Sequence, residues 1–290
     1  MRIAGLMFAR VARFVSLLFL AALGTIALVR FAPGYFADGR EMDAQYGNEI
    51  RAALRIQQDQ QGSVVGLARS LLTGWWHRDF GRSRQYDVPV AGLVGSRVGV
   101  TAKLLMRGVG CGWLLAFTIA LPLSALRGSS GEVLVAGPTA IFLAIPLGAM
   151  ATTCLLLNVG GPLLVLTSLV GVRDFKFAYR LLRQMWKAPH LLYARAQGIA
   201  VHRIMWVHLL PTLRTELLAL SAMSFVVALS ALVPLEVVFN VPGLGQLAWS
   251  AAMNRDLPVL LAVTMLMATC IGVVSIFAEP ARRLETVQCG

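Results

Sequence analysis

The sequence predicts an all-α integral membrane protein with six transmembrane helices. Three observations support this class: 57% of the 290 residues are hydrophobic, only 14% are charged, and uncharged apolar stretches recur between charged residues. A soluble domain carries about 25% charged residues, whereas a helix needs about 20 apolar residues to cross the hydrocarbon core of a bilayer. The composition therefore excludes an ordinary soluble domain.

Five uncharged stretches can supply the membrane helices, in which every backbone polar group must be bonded within the segment. Four of them have the length of a single crossing: Phe14 to Val29, Gly108 to Leu126, Leu217 to Leu235 and Leu257 to Ala278. The fifth, Val133 to Val172, is too long for one crossing. A turn is predicted at Asn158-Val159-Gly160-Gly161-Pro162, because Gly and Pro end helices. We expect two crossings joined there, with the second helix continuing past Arg173.

The distribution of Lys and Arg predicts the orientation, because these residues are retained on the cytoplasmic side. Arg2, Arg10 and Arg13 place the N-terminus inside, and six crossings return the C-terminus to the same side. Residues 173–214 carry eight basic residues and one acidic residue, Asp174, which indicates a cytoplasmic loop. The predicted organisation is a cytoplasmic N-terminus and first helix (1–31), an external segment (32–99) and a five-helix core (100–290).

Two points in this scheme have an alternative. The first apolar stretch could be a signal peptide, but no clean cleavage site follows it, so we interpret it as an uncleaved helix. Arg173 and Asp174 could form a pair buried in the membrane, where charges are costly. We expect them instead to mark the cytoplasmic end of the fourth helix.

The sequence offers no catalytic, metal or nucleotide site. The net charge of +12 does not indicate nucleic-acid binding, because the basic residues flank apolar stretches. His202 and His208 are six residues apart and do not share a helix face as a metal pair would. A Gly-rich loop ending in Lys and Ser or Thr, which would bind ATP phosphates, is also missing. We therefore expect no enzyme activity, no metal and no cofactor.

The most informative segment is Ala194-Arg195-Ala196-Gln197-Gly198-Ile199, in the basic loop and upstream of Leu210-Pro211. It resembles the cytoplasmic loop of ABC-importer permease subunits, which often reads A-R-A-K-G-L in peptide-type members and ends in I-x-L-P. A glycine permits a tight turn after a short helix, and we expect a positive φ at Gly198 at which any Cβ would clash. The resemblance implies an ATPase-coupling loop that contains Tyr193, Ala194, Arg195, Ala196, Gly198, His208, Leu210 and Pro211. Alternatively, this basic Ala-rich helix only covers the membrane surface.

Two further motifs follow the order of the dipeptide, oligopeptide and nickel permease type. One is Asp79-Phe80-Gly81-Arg82-Ser83 with the residues after it, similar to the G-D-L-G-x-S, P-V, R and T-L series. The other begins at Glu236 and is similar to the E-x-x-F, P-G-L-G and R-D segment. The motif positions are Asp79, Gly81, Ser83, Pro89, Arg97, Thr101, Glu236, Phe239, Pro242, Gly243, Gly245 and Asp256. Departures from the family pattern include Leu192 at the motif glutamate and Pro189 before the coupling segment.

The resemblance implies a type I ABC-importer fold and a role as the membrane permease for peptides, with ATP bound and hydrolysed by partner subunits. The implied partners are a second permease subunit, two ATPase subunits and an extracytoplasmic substrate-binding protein, at the inner membrane. One alternative is a permease of the same type for nickel or another small solute. Another, from a different class, is a non-transport membrane scaffold or an enzyme. A metal pathway favours acidic or His residues along the pore, and the apolar stretches contain almost none.

Overall fold

The structure, a computed structural model, describes residues 12, 14–25, 27, 80–83, 85–125, 130–254 and 256–288. In this part of the chain the regular elements are helices, and the only β-type pairing is an isolated bridge between Arg82 and Pro89. The helices are α1 (Phe14–Thr25), α2 (Val90–Ala125), α3 (Ser130–Ala144), α4 (Leu147–Leu156), α5 (Pro162–Met185), α6 (Pro189–Ala196), α7 (Arg214–Val238), α8 (Leu244–Met253) and α9 (Leu257–Gln288). A helical segment, 201–212, joins α6 to α7 and contains a π-helical turn at Met205–Leu209.

Several of the described helices can cross a membrane. By length and composition α2, α7 and Leu257–Ile276 of α9 qualify, and α1 is apolar but shorter. The pair Val135–Ala144 and Leu147–Leu156 counts as a fourth candidate if the two helices form one span. Large apolar side chains on these helices are exposed, including Leu114 at 68% and Leu156 at 85%. The predicted class, an all-helical membrane protein, is confirmed.

The turn predicted at 158–162 is present. Asn158 adopts a φ of +52° and closes α4 with a Schellman motif, in which the N–H of Val159 donates to the carbonyl of Cys154 at 3.0 Å. Pro162 then opens α5, at a position where its missing N–H costs no helical hydrogen bond. As predicted, α5 continues past Arg173.

A second break in the same stretch was not predicted. α3 ends at Ala144 and α4 starts at Leu147, and the two helices are bent by 80°. Pro146 precedes α4 in an extended conformation. Proline removes a helical donor and its ring crowds the preceding turn, so the chain leaves the helical conformation here.

The chain divides into two compact units. Unit 1 comprises Met1–Gly99 and Pro242–Cys270, and unit 2 comprises Val100–Val241 and Ile271–Gly290. Among the described residues, the core of unit 1 is built from Val90, Leu244, Leu247, Ala251, Val259, Ala262 and Val263. The core of unit 2 contains Ala120, Tyr179, Leu182, Trp186, Leu191, Ile204, Leu209 and Leu213.

Small residues allow α2 and α5 to approach closely in unit 2. Gly108, Gly112, Ala116 and Ala120 recur every fourth residue along α2, and all four are buried. A Cβ added to Gly112 would lie 2.8 Å from Cγ1 of Val170 and 3.1 Å from the backbone nitrogen of Gly171. Such small-x-x-x-small spacing is typical of close helix contacts in membranes.

Candidate functional site

The coupling segment forms helix α6 and the turn after it. Pro189 is the first residue of α6, and Gly198 follows the helix with a φ of +78°. The N–H of Gly198 donates to the carbonyl of Arg195 at 3.1 Å, and the N–H of Ile199 donates to that of Ala194 at 3.4 Å. These two bonds define a Schellman motif, in which the left-handed position favours glycine. The tight turn is therefore present where the motif glycine stands.

The expected reason for glycine at this position needs a correction. No atom lies within 4 Å of a Cβ built on Gly198, so the predicted clash with neighbouring groups is wrong. Side chains still disfavour this backbone conformation, at about 1–2 kcal/mol per residue, because the Cβ approaches the following carbonyl oxygen. The constraint is intrinsic to the local backbone.

α6 presents two different faces. Leu191 is 1% exposed and Ala194 is 7% exposed, and both belong to the core of unit 2. Leu192 and Tyr193 are 52% and 66% exposed, and Ala196 is also exposed. The inner face anchors α6 in the fold, while the outer face is available to a partner.

A tryptophan connects α6 to two longer helices. The Arg195 guanidinium lies 5.6 Å from the centroid of the Trp186 ring, a geometry that allows a cation–π contact. The indole N–H of Trp186 donates to Oγ of Ser124 at 3.3 Å, in a buried hydrogen bond. Trp186 follows the last residue of α5, and Ser124 lies in the last turn of α2.

The remaining residues of the predicted loop lie in the 201–212 segment. His208 and Pro211 are exposed, whereas Leu210 is partly buried against the core of unit 2. The π-helical turn immediately precedes Leu210. A proline ring crowds the carbonyl four residues before it, and a widened turn relieves that crowding. Among the described residues, no His, Cys, Asp or Glu group of three or more is placed to hold a metal ion.

In unit 1, residues of two predicted motifs meet. The hydroxyl of Ser83 donates to Oδ2 of Asp256 at 2.5 Å, and both residues are buried. The backbone N–H of Gln85 donates to the same oxygen at 3.2 Å, and the N–H of Tyr86 donates to Oγ of Ser83 at 3.0 Å. The loop is closed by Gly81, whose φ is +75° and whose carbonyl accepts from the N–H of Val90.

Other motif positions in unit 1 lie around the start of α8. Gly243 precedes α8 in an extended conformation, and Gly245 is buried in its first turn. Arg97 donates to Oε1 of Gln246 at 3.2 Å. Pro242 is exposed and lies just before α8, and Pro89 is exposed and lies just before α2. Asp79 lies outside the described residues.

In unit 2, Thr101 and Glu236 form a buried pair. Oγ1 of Thr101 donates to Oε1 of Glu236 at 2.7 Å, which joins α2 to α7. Phe239 follows α7, and Asn240 has a φ of +51°. The N–H of Val241 donates to the carbonyl of Glu236 at 2.8 Å. The E-x-x-F motif thus ends α7 in a third Schellman motif, with Asn in the left-handed position.

The expectation that Arg173 and Asp174 mark a helix end is wrong. Asp174 is fully buried, 12 residues after the start of α5 and 11 before its end. Its Oδ2 accepts a hydrogen bond from Ser224 of α7 at 2.5 Å, and the indole N–H of Trp113 donates to the same hydroxyl at 3.3 Å. Nη1 of Arg173 lies 3.4 Å from Oδ1 of Asp174. We call these four residues the α5 polar junction.

These features define an all-helical membrane protein of the multi-pass class, with a short helix, α6, between two longer ones. The chain belongs to the family of binding-protein-dependent transport system inner membrane components, which matches residues 108–280. The predicted relation to ABC-importer permeases is thereby confirmed.

Similar proteins cover almost the whole chain. A peptide permease protein of Brucella ovis is 24% identical over 300 residues, which cover 90% of this chain and 93% of the relative. A peptide ABC transporter permease protein of Sinorhizobium fredii is 27% identical over 285 residues, covering 89% and 90%. The oligopeptide transport system permease protein OppB of Escherichia coli is 23% identical over 270 residues, covering 86% and 87%.

Proposed function

We propose that this chain is a permease subunit of an ATP-driven importer and forms part of the membrane path for peptides. The observation that carries this proposal is α6, which is anchored by Leu191 and Ala194 and ends at a left-handed Gly198. Its outer face carries Tyr193. The names of the relatives support peptides as the substrate class, because three of them from different organisms are peptide or oligopeptide permeases.

The partners follow from this role. The outer face of α6 would dock on one of two ATPase subunits, which bind the ATP, while this chain holds no cofactor. A second permease subunit would complete the path, and an extracytoplasmic binding protein would deliver the peptide. Closure of the ATPases would then move the membrane helices as rigid bodies between two access states.

Six crossings in a type I ABC-importer fold are part of the proposal. They are α1, α2, the bent pair α3 and α4, α5, α7 and α9, and α5 continues beyond its apolar part into the cytoplasm. Residues 1–31, 32–99 and 100–290 keep the organisation given above, with both termini and the predicted coupling loop in the cytoplasm at the inner membrane, except that Arg173 and Asp174 lie within α5 and not in a loop. The basic character of residues 173–214 supports this orientation.

Reporter fusions test the orientation. We expect alkaline phosphatase fused after Gln60 to be active, because that enzyme folds outside the cytoplasm, and the same reporter fused after Gln197 to be inactive. A cytoplasmic reporter at the same two positions is the control and should give the opposite pattern. Activity of the phosphatase at Gln197 only would overturn the orientation.

The function is tested with Gly198→Val in a strain that lacks the chromosomal copy. The unaltered chain should restore uptake of labelled peptides. Gly198→Val should insert in the membrane but lose most uptake, because a β-branched residue is strained at positive φ and the turn that positions α6 is lost. Arg195→Ala should have a weaker effect, since a partly exposed charge contributes about 0–1 kcal/mol.

Gln197→Ala is the matched control, because Gln197 is exposed and has a φ of −75°. It should transport like the unaltered chain. Full uptake and full substrate-stimulated ATP hydrolysis by assembled Gly198→Val complexes would show that α6 only covers the membrane surface. If the unaltered chain restored nickel uptake and not peptide uptake, the substrate class would be wrong.

A further inference from the structure

Trp186 contacts α6 through its ring, which faces Arg195, and α2 through its indole N–H, which donates to Ser124. We infer that Trp186 is a positioning residue for transport, which passes the displacement of α6 to the end of α2. The inference rests on the proposed function, because it assigns the route by which docking at α6 moves a membrane helix.

The geometry gives Trp186 two separate contacts. The ring lies beneath the Arg195 guanidinium at 5.6 Å, and the indole N–H donates to Oγ of Ser124 at 3.3 Å. Trp186 is 7% exposed and Ser124 is 1% exposed. The Ser124 hydroxyl also donates to the carbonyl of Leu121 at 2.8 Å, so the group that would lose its partner is the buried indole N–H of Trp186. Leaving a buried donor without an acceptor is costly, so the end of α2 and Trp186 should move together.

The surrounding core makes the connection stiff. Leu191 and Ala194 of α6 are buried in the same cluster as Trp186 and Ala120, an α2 residue one turn before Ser124. Packed cores do not deform continuously. An apolar side chain at position 186 could fill the same volume, but it would not supply an indole N–H for Ser124. Its cation–π interaction with Arg195 would also be weaker than that of tryptophan.

The remaining contacts of α6 do not offer this route. Tyr193 and Leu192 lie on the outer face, and Leu191 provides packing without a directional bond. Arg195 is in the A-R-A-x-G motif, and its contact to Trp186 gives the motif arginine a defined partner within this chain. Trp186 thus stands between the motif and α2.

The test uses the complete complex in liposomes, with the second permease, the ATPases and the binding protein. The quantity measured is the number of ATP molecules hydrolysed per labelled peptide imported. Trp186→Phe keeps an aromatic ring and removes the N–H, and Ser124→Ala removes the accepting hydroxyl together with its bond to the carbonyl of Leu121. Each single variant should raise the number of ATP molecules hydrolysed per imported peptide about fivefold. A factor of about five is the lower end of the typical coupling between two sites. The double variant should be no worse than either single variant, because both remove the same bond.

Trp249→Phe is the control, since Trp249 is an exposed tryptophan of α8, and it should keep the ratio of the unaltered complex. A purely structural role of Trp186 would lower hydrolysis and import together and leave the ratio unchanged. An unchanged ratio in assembled Ser124→Ala and Trp186→Phe complexes would therefore overturn the inference.

A second measurement separates this inference from the proposed function. The Tm is measured for four complexes: the unaltered complex, the two single variants and the double variant. This double-mutant cycle gives the coupling between Ser124 and Trp186, once without nucleotide and once with ATP and vanadate. A positioning role predicts that the coupling differs between the two states, and an equal value in both overturns it. If the unaltered complex hydrolyses ATP but imports no peptide, the substrate proposal fails, while the cycle still decides the role of Trp186.

Discussion

Asp174→Ala is expected to destabilise the chain by about 3–5 kcal/mol, the usual cost of removing one partner of a buried ion pair. The change leaves the Arg173 guanidinium, whose side chain is 12% exposed, without its acidic neighbour. It also removes one of the two acceptors of the Ser224 hydroxyl and leaves only the carbonyl of Leu220. Because the junction joins α2, α5 and α7 near the middle of α5 and α7, we expect a large fall in Tm of the purified protein in detergent.

Two further variants make this prediction specific. Replacing Arg173 and Asp174 together by Met and Leu should recover much of the loss, because apolar residues can replace a buried pair at little cost. Asp87→Asn is the control, since Asp87 pairs with Arg82 on the surface and its side chain is 89% exposed. A Tm of Asp174→Ala equal to that of Asp87→Asn would contradict the role of the α5 polar junction.

Gly112→Leu is expected to prevent the native packing of α2 on α5. A Cβ at this position would lie 2.8 Å from Val170 and 3.1 Å from the Gly171 backbone. A side chain can rotate away, but the backbone of a helix cannot. One or two extra methylene groups in a packed core cost about 1–3 kcal/mol, and leucine adds four carbon atoms where even the first does not fit. We expect little folded protein in size-exclusion chromatography of detergent extracts.

Gly110 is the matched control for this variant. It lies one turn or less from Gly112 on the same helix, is exposed, and has no atom within 4 Å of an added Cβ. Gly110→Leu should fold normally, because leucine is a better helix former than glycine. If Gly112→Leu and Gly110→Leu gave equal amounts of folded protein, the close contact between α2 and α5 would be wrong.

The features that the sequence predicted depend on nearby residues. The apolar stretches became α2, α7 and α9, and the Gly-Gly-Pro break separates α4 from α5. The left-handed Gly198 follows α6 because the helix ends in a Schellman motif, whose left-handed position favours glycine. Each of these requires only the length of an apolar run or the local backbone preference of one residue.

The effect of each proline was harder to predict. Pro122, Pro138 and Pro234 all lie inside helices, whereas Pro146 ends one. A proline in a membrane helix is tolerated where neighbouring groups satisfy the carbonyl that it leaves free. Those neighbours come from elsewhere in the fold, so the local sequence does not identify which proline breaks a helix.

Contacts between distant residues were not predicted either. The motif positions Ser83 and Asp256 were both recognised, but their hydrogen bond joins residues 173 positions apart. Asp174 was placed at a helix end because two adjacent charges normally face water. The burial of Asp174 depends on Ser224 and Trp113 from two other helices, and no local pattern around Asp174 indicates them.

The bend between α3 and α4 restricts what can surround that part of the protein. The first N–H groups of a helix have no carbonyl four residues earlier, and α4 begins without a side-chain cap. Hydrocarbon tails cannot accept hydrogen bonds, and each unsatisfied group there costs several kcal/mol. Hydrocarbon tails therefore cannot surround the start of α4, whose first N–H groups need water, lipid headgroups or polar groups of a polypeptide beside them.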